Sequence, residues 1–181
     1  MVNTRPVFIY LINIVKYIIN KKGINMIEDK LIKLLNEKNM TITTAESCTG
    51  GMISSRLVNV SGASAVLNEA YVTYSNEAKS RNLGVSKETI DKYGAVSEET
   101  AKEMVEGVAK RACTDCAIAV TGIAGPDGGT KEKPVGTVYV GYYICGESFV
   151  ERYNFQGDRY EIRKKTTDEV LTRIYKELQR K

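Results

Sequence analysis

TITTAESCTGG, the stretch at residues 41–51, predicts a short strand that runs into a glycine-rich turn. Apolar residues at helical spacing follow over residues 52–58, so the turn lies between the end of a strand and the start of a helix. Strand-to-helix loops of this kind carry binding and catalytic groups in α/β proteins. The stretch therefore indicates an α/β fold and places a candidate site at its own turn.

A second strand with a glycine loop lies further along the chain. Residues 116–121, CAIAVT, form an apolar run short enough for a buried strand, and GIAGPDGG follows at residues 122–129. Residues 135–144 and 148–155 alternate in the manner of two strands joined by a tight turn. They predict a hairpin at one edge of the sheet.

Helices are predicted between and after these strands. Their signals are apolar residues at helical spacing, Ser or Asp at the N-cap and Gly at the end. The predicted helices cover residues 26–38, 52–58, 76–83 after Ser75, 87–93 between Ser86 and Gly94, 98–112 after Ser97, and 159–178 after the capping box of Asp158 and Glu161. With a further strand at residues 69–74, this order predicts an α/β fold, a three-layer α/β/α sandwich with a mixed sheet.

Charge and composition narrow the class of protein. The 181 residues include 26 Lys and Arg against 22 Asp and Glu, and four of the basic residues fall within residues 1–25. The remainder is neutral, so we expect no nucleic-acid partner. We interpret residues 1–25 as an apolar and basic N-terminal extension outside the fold, and residues 26–181 as one domain.

The apolar segment at residues 7–19 is short for a membrane span, which needs about 20 residues, and Asn13 and Lys16 interrupt it. Peripheral attachment to a membrane through this segment is the alternative. The four cysteines do not form a disulfide framework, and Cys113 and Cys116 are expected to be buried thiols. We expect a cytoplasmic protein without a membrane partner.

The chain contains no histidine. Ser-His-Asp and Cys-His catalysis and His-based zinc sites are therefore excluded, and any proton transfer must use Lys, Tyr, Asp, Glu or Cys. Ser47, exposed at the turn, is a candidate nucleophile, although a serine there also suits a helix cap. Lys79, in the first turn or so of a helix, is a candidate base if burial depresses its pKa, or else a surface lysine.

Further residues are candidates for binding. The backbone of Thr49, Gly50 and Gly51 offers amides to an oxyanion or an anion, and the loop at residues 122–129 offers a longer backbone nest. Arg159, beside a helix start, suits a phosphate. Turn geometry alone explains the glycines equally well, and a surface role explains Arg159 equally well.

Several longer motifs carry a family resemblance. They are TAESCTGG at 44–51, YSNEAK at 74–79, GAVS at 94–97, TGIAGPDGG at 121–129 and KPVGT at 133–137. Over residues 26–178 the chain resembles the CinA C-terminal domain family, whose characterised members hydrolyse the carboxamide of nicotinamide mononucleotide (NMN) to nicotinate mononucleotide and ammonia.

The resemblance implies a catalytic set of Ser47, Lys79 and Tyr74 and a phosphate contact from Arg159. It further implies substrate contacts from two loops, at Thr49, Gly50, Gly51, Thr121, Gly122 and Gly125. No cofactor or metal is expected. We expect the protein to form a homodimer. The alternatives are a catalytically silent nucleotide-binding module linked to competence, and hydrolysis of another amide.

Overall fold

The computed structural model describes residues 26–181, so the expectations for residues 1–25 lie outside the described residues. The described chain forms six α-helices and five strands. They are α1 (Ile27–Lys38), β1 (Ile42–Glu46), α2 (Met52–Val58), a 3-10 turn (Ala63–Ala65), β2 (Ala70–Val72), α3 (Asn76–Leu83), α4 (Lys87–Tyr93), α5 (Glu98–Ala112), β3 (Cys116–Gly122), β4 (Thr137–Ile144), β5 (Glu147–Asn154) and α6 (Arg159–Arg180).

The five strands form one mixed sheet in the order β2-β1-β3-β4-β5. Strand β1 runs parallel to β2 and β3, whereas β3, β4 and β5 are successively antiparallel. The predicted edge hairpin is confirmed. Because parallel strands end at the same edge of a sheet, the segments that follow β1, β2 and β3 lie next to one another.

Helices cover both faces of the sheet, which confirms the three-layer prediction. Helices α1, α2 and α6 pack on one face, and α3, α4 and α5 pack on the other. Strand β3 shows how its sequence serves both layers: Ile118 and Val120 enter the first core, whereas Ala117 and Ala119 enter the second. This alternation places the central strand inside the molecule, with its carboxyl end beside β1.

The predicted helix caps are confirmed as hydrogen bonds. Ser75 Oγ accepts the amide of Ala78 at 3.1 Å, and Ser97 Oγ accepts the amide of Thr100 at 3.2 Å. Asp158 begins α6 with a complete capping box. Each bond satisfies an amide that the first helical turn would otherwise leave without a partner. The caps fix where α3 and α6 begin, and hence which of their side chains face the sheet edge.

Two predictions need correction. The strand predicted at residues 69–74 is shorter, because Thr73 and Tyr74 turn their carbonyls towards a lysine instead of a neighbouring strand. Cys116 is buried as expected, but Cys113 is exposed, because it ends α5 in a left-handed conformation.

Two further features of residues 26–181 concern membranes and metal ions. None of the helices there is both long and apolar enough to cross a bilayer. Within the same range, no group of three or more His, Cys, Asp and Glu residues is arranged to hold a metal ion.

Candidate active site

Ser47 lies directly after β1, at the sheet edge where the parallel strands end. Its amide donates to the carbonyl of Val120 at 3.0 Å, which ties the residue to β3, and only 8% of the residue is exposed. It borders a pocket of about 220 Å³. The pocket is lined by Ser47, Cys48, Tyr74, Asn76, Lys79, Ala95, Val96, Thr121, Gly122, Ala124 and Arg159.

Lys79 reaches this pocket from α3 and is 1% exposed. Its Nζ lies 3.2 Å from Ser47 Oγ, 3.0 Å from the carbonyl oxygen of Thr73 and 3.3 Å from that of Tyr74. A neutral amine has two N–H donors and one lone pair. Two carbonyls for the donors and one hydroxyl for the lone pair match a neutral amine, whereas an ammonium would donate to all three oxygens. The contacts therefore allow Lys79 to accept the Ser47 proton once its amine is neutral.

Burial shifts the pKa values of Lys79 and Cys48, the two ionisable groups next to Ser47. It lowers the pKa of the Lys79 ammonium below its ordinary value, against weaker opposing effects of Cys48 and Glu77. It raises the pKa of the Cys48 thiol to about 12. A thiol with that pKa supplies almost no thiolate at neutral pH, so Cys48 is a poor nucleophile here. Ser47 is the nucleophile that the site favours.

The backbone amides of the turn after β1 have other hydrogen-bond partners than the sequence predicted. The Gly51 amide donates to the Glu46 carboxylate at 2.9 Å, and the Gly50 amide donates to the carbonyl of Ser47 at 3.1 Å. Neither amide is available for an oxyanion or a substrate, which corrects the roles expected for Gly50 and Gly51. Thr49 is fully buried and does not line the pocket.

Two charged residues that the sequence analysis did not select hold this turn. Glu46 is fully buried, and besides Gly51 its carboxylate accepts the amides of Ile53 and Ser54 at the start of α2. Arg163, one turn into α6, donates to two carbonyls of the turn. The signal for Glu46 was a carboxylate just before a helix start, which the helix dipole favours. For Arg163 the sequence offered no signal beyond its spacing of four residues from Arg159.

Tyr74 and Arg159 form the exposed rim of the pocket. Arg159 Nη2 donates to the Tyr74 hydroxyl at 2.8 Å, and Nη1 donates to the carbonyl of Gly125 at 2.7 Å. Tyr74 is 61% exposed. Its backbone carbonyl contacts Lys79, whereas its hydroxyl bonds to Arg159, so the tyrosine links the buried and exposed parts of the site.

The end of β3 supplies the opposite wall. Thr121 Oγ1 donates to the carbonyl of Ala95 at 2.6 Å, which joins β3 to the loop before α5. A Cβ at Gly122 would lie 2.8 Å from the Val138 side chain and 3.1 Å from Cys48 Sγ, so glycine is required there by packing. Of the substrate contacts expected from this loop, Thr121 and Gly122 line the pocket. Gly125 accepts a hydrogen bond from Arg159 through its carbonyl.

Comparison with known proteins agrees with the motifs. The CinA C-terminal domain family matches residues 24–178. A CinA-like protein of Kosmotoga olearia is 54% identical over 141 residues, which make up 78% of this chain and 34% of that protein. A Clostridium perfringens relative, whose name carries the words competence-damage inducible protein, is 53% identical over 85% of this chain and 37% of its own length. The chain thus spans little more than a third of the curated relatives that it matches.

Solved structures show the same fold. The competence/damage inducible protein CihA from Agrobacterium tumefaciens is 39% identical with a TM-score of 0.80, over 82% of this chain and 91% of that chain. A CinA superfamily protein from Klebsiella pneumoniae is 32% identical with a TM-score of 0.83, over 86% and 97% of the two chains. These names describe a family and a biological context, and they name no substrate.

Proposed function

This chain belongs to the CinA C-terminal domain family, and from that premise we propose that it hydrolyses the carboxamide of NMN to nicotinate mononucleotide and ammonia. The observation that carries the proposal is the contact of the buried Lys79 Nζ with Ser47 Oγ at 3.2 Å, in a chain without histidine. A serine needs an adjacent base to act as a nucleophile, and here a buried lysine is that base.

The proposed reaction begins with Lys79 as a neutral amine. It takes the Ser47 proton while Oγ attacks the carboxamide carbon, and a tetrahedral intermediate forms with the charge on the former carbonyl oxygen. When the C–N bond breaks, the Lys79 ammonium returns the proton to the leaving nitrogen, which departs as ammonia. Water then attacks the acyl-serine, Lys79 accepts its proton, and the ester breaks to give the carboxylate and restore Ser47.

The size of the pocket supports a substrate that enters only in part. A volume of about 220 Å³ is smaller than the roughly 300–1,000 Å³ typical of pockets that enclose a whole ligand. We propose that the nicotinamide ring occupies it, with the carboxamide at Ser47. The ribose and phosphate then extend over the rim, where Arg159 carries the positive charge that a phosphate requires. Binding energy at the rim would orient the amide for attack.

Release of ammonia from NMN by the full-length chain tests the proposal. We expect turnover in the wild type and a loss of at least about 1,000-fold in Ser47→Ala, because the covalent route is removed. Ser80→Ala, a serine replacement on α3 outside the pocket lining, is the matched control and should retain activity. Nicotinate mononucleotide should appear in step with ammonia.

The same experiment distinguishes the alternatives. NMN binding without ammonia release in the wild type would favour a silent nucleotide-binding module. Equal turnover of NMN and nicotinamide riboside would indicate an amidase that does not use the phosphate. A Ser47→Ala variant as active as the wild type would remove the proposed nucleophile.

A further inference from the structure

The turn after β1 is held by side chains of opposite charge. Glu46 accepts amides at the end of the turn, and Arg163 donates to carbonyls in its middle. The Arg163 contacts are a fork: Nε lies 2.9 Å from the Cys48 oxygen, and Nη2 lies 2.7 Å from the Thr49 oxygen. A planar guanidinium that makes two such bonds fixes the orientation of two successive peptide groups.

The amides of the turn show what this orientation leaves free. Those of Ser47, Gly50 and Gly51 donate to acceptors within the protein. Those of Cys48 and Thr49 donate to no other residue in the described part of the chain, and the Cys48 amide faces its own thiol group. Cys48 also lines the pocket beside the nucleophile. Free backbone donors next to a nucleophile are what a developing oxyanion needs.

Arg163 controls both free amides through peptide geometry. In a planar trans peptide, the C=O of one residue and the N–H of the next point in opposite directions. Because Arg163 holds the Cys48 carbonyl, the Thr49 N–H is directed away from the guanidinium. Because it also holds the Thr49 carbonyl, the Gly50 N–H is directed to its bond with the Ser47 carbonyl. That bond in turn fixes the peptide that carries the Cys48 N–H.

We infer that the backbone N–H of Cys48 is the oxyanion donor for the reaction at Ser47, and that Arg163 is the positioning residue that directs it. This inference rests on the proposed function of Ser47 as a nucleophile. The amide of the residue after the nucleophile has the same role in other serine hydrolases. A donor fixed before the substrate binds needs no reorganisation during the reaction.

Kinetics of Arg163 variants test the inference. In Arg163→Met we expect kcat for NMN to fall about 10- to 100-fold with KM within about threefold, because a misdirected donor affects the transition state more than the bound substrate. Arg163→Lys should be intermediate, since an ammonium cannot form the fork. Lys164→Met, a charge removal at the next and exposed position of α6, is the control and should leave kcat unchanged.

Binding of pyridine-3-boronic acid separates positioning from general damage. Its boron forms a tetrahedral adduct with a serine and places an oxygen where the oxyanion would lie. Arg163→Met should weaken this adduct at least about tenfold, whereas NMN affinity, measured in a Ser47→Ala background, should change less than about twofold. An unchanged kcat, or equal losses of boronate and NMN affinity, would overturn the inference.

A variant that retains the arginine covers the case in which Arg163→Met does not fold. A Cβ at Gly50 would lie 3.3 Å from Arg163 Nη2. Gly50→Ala should therefore displace the guanidinium from its two carbonyl partners and lower kcat several-fold. If the wild type leaves NMN intact but binds the boronate through Ser47 and Arg163, the proposed substrate fails and this inference stands. If it does neither, both fail.

Discussion

The pocket around Ser47 has one wall that is buried and one that is open to solvent. On the buried side, Lys79 is 1% exposed and its Nζ contacts the Ser47 hydroxyl and two backbone carbonyls. On the open side, Tyr74 is 61% exposed and its hydroxyl accepts a hydrogen bond from Arg159. Burial lowers the pKa of Lys79, whereas the exposed side chains of the rim can rearrange around a ligand.

The two walls therefore suit different roles in the proposed reaction. Proton transfer requires a fixed distance and a shifted pKa, which the buried wall provides. Binding of a charged group requires access and a cation, which the rim provides. Variants of the buried wall should therefore change kcat, and variants of the rim should change KM.

The largest effect is expected from Lys79→Met, which retains bulk and removes the base. We expect kcat/KM to fall about 100- to 10,000-fold. In the wild type, kcat/KM should rise with pH and level off above the pKa of Lys79, which burial places below 10.5. The sign follows because the protonated lysine cannot accept the serine proton. The remaining activity of Lys79→Met should lack this rise.

Lys102→Met, at an exposed position of α5, is the matched control and should keep the wild-type profile. A rise of the same shape in Lys79→Met would assign the titration to another group and break the link between burial and catalysis.

A smaller effect, confined to binding, is expected from Arg159→Met. Loss of one charge-assisted contact to a phosphate, worth about 1.5–3 kcal/mol, should raise KM for NMN about 10- to 100-fold with kcat within about threefold. Nicotinamide riboside lacks the phosphate, so its KM should be the same in both proteins. Equal weakening of NMN and the riboside would mean that Arg159 shapes the pocket instead of binding phosphate.

The smallest effect is expected from Tyr74→Phe, which removes only the hydroxyl that accepts from Arg159. The hydroxyl is exposed and water can replace it as acceptor for the Arg159 guanidinium, so KM for NMN should rise about two- to fivefold with kcat unchanged. The competing role for Tyr74 is to donate a proton to departing ammonia. A kcat reduced more than about tenfold at unchanged KM would support that role and move Tyr74 to the catalytic wall.

Features held by nearby residues were predictable from the sequence. The caps at Ser75, Ser97 and Asp158 join groups three residues apart, so a short motif specifies them. The hairpin turn at Cys145 and Gly146 is also local, with both residues at positive φ. The mixed sheet followed from the order of these elements, since the apolar run of β3 and the alternation in β4 and β5 were visible in the sequence.

Features held by distant residues were not predictable in the same way. Arg163 and Cys48 are 115 positions apart, and nothing near either residue signals the other. The glycine amides illustrate the opposite error: the turn suggested free donors at Gly50 and Gly51, yet Glu46 and the Ser47 carbonyl occupy them. Such contacts depend on which helix packs against which strand end.

The order of helices and strands, the family, and the candidates Ser47 and Lys79 could all be predicted from the amino-acid sequence. That these two side chains meet across 32 positions depends on the tertiary structure. The pairing of Glu46 with Val72 sets β2 beside β1, so that the segment after β2 and helix α3 reach the serine. Local hydrogen bonds join residues that are close in the sequence, so short motifs specify them. Strand register and the packing of two sheet faces bring residues into contact that are distant in the sequence.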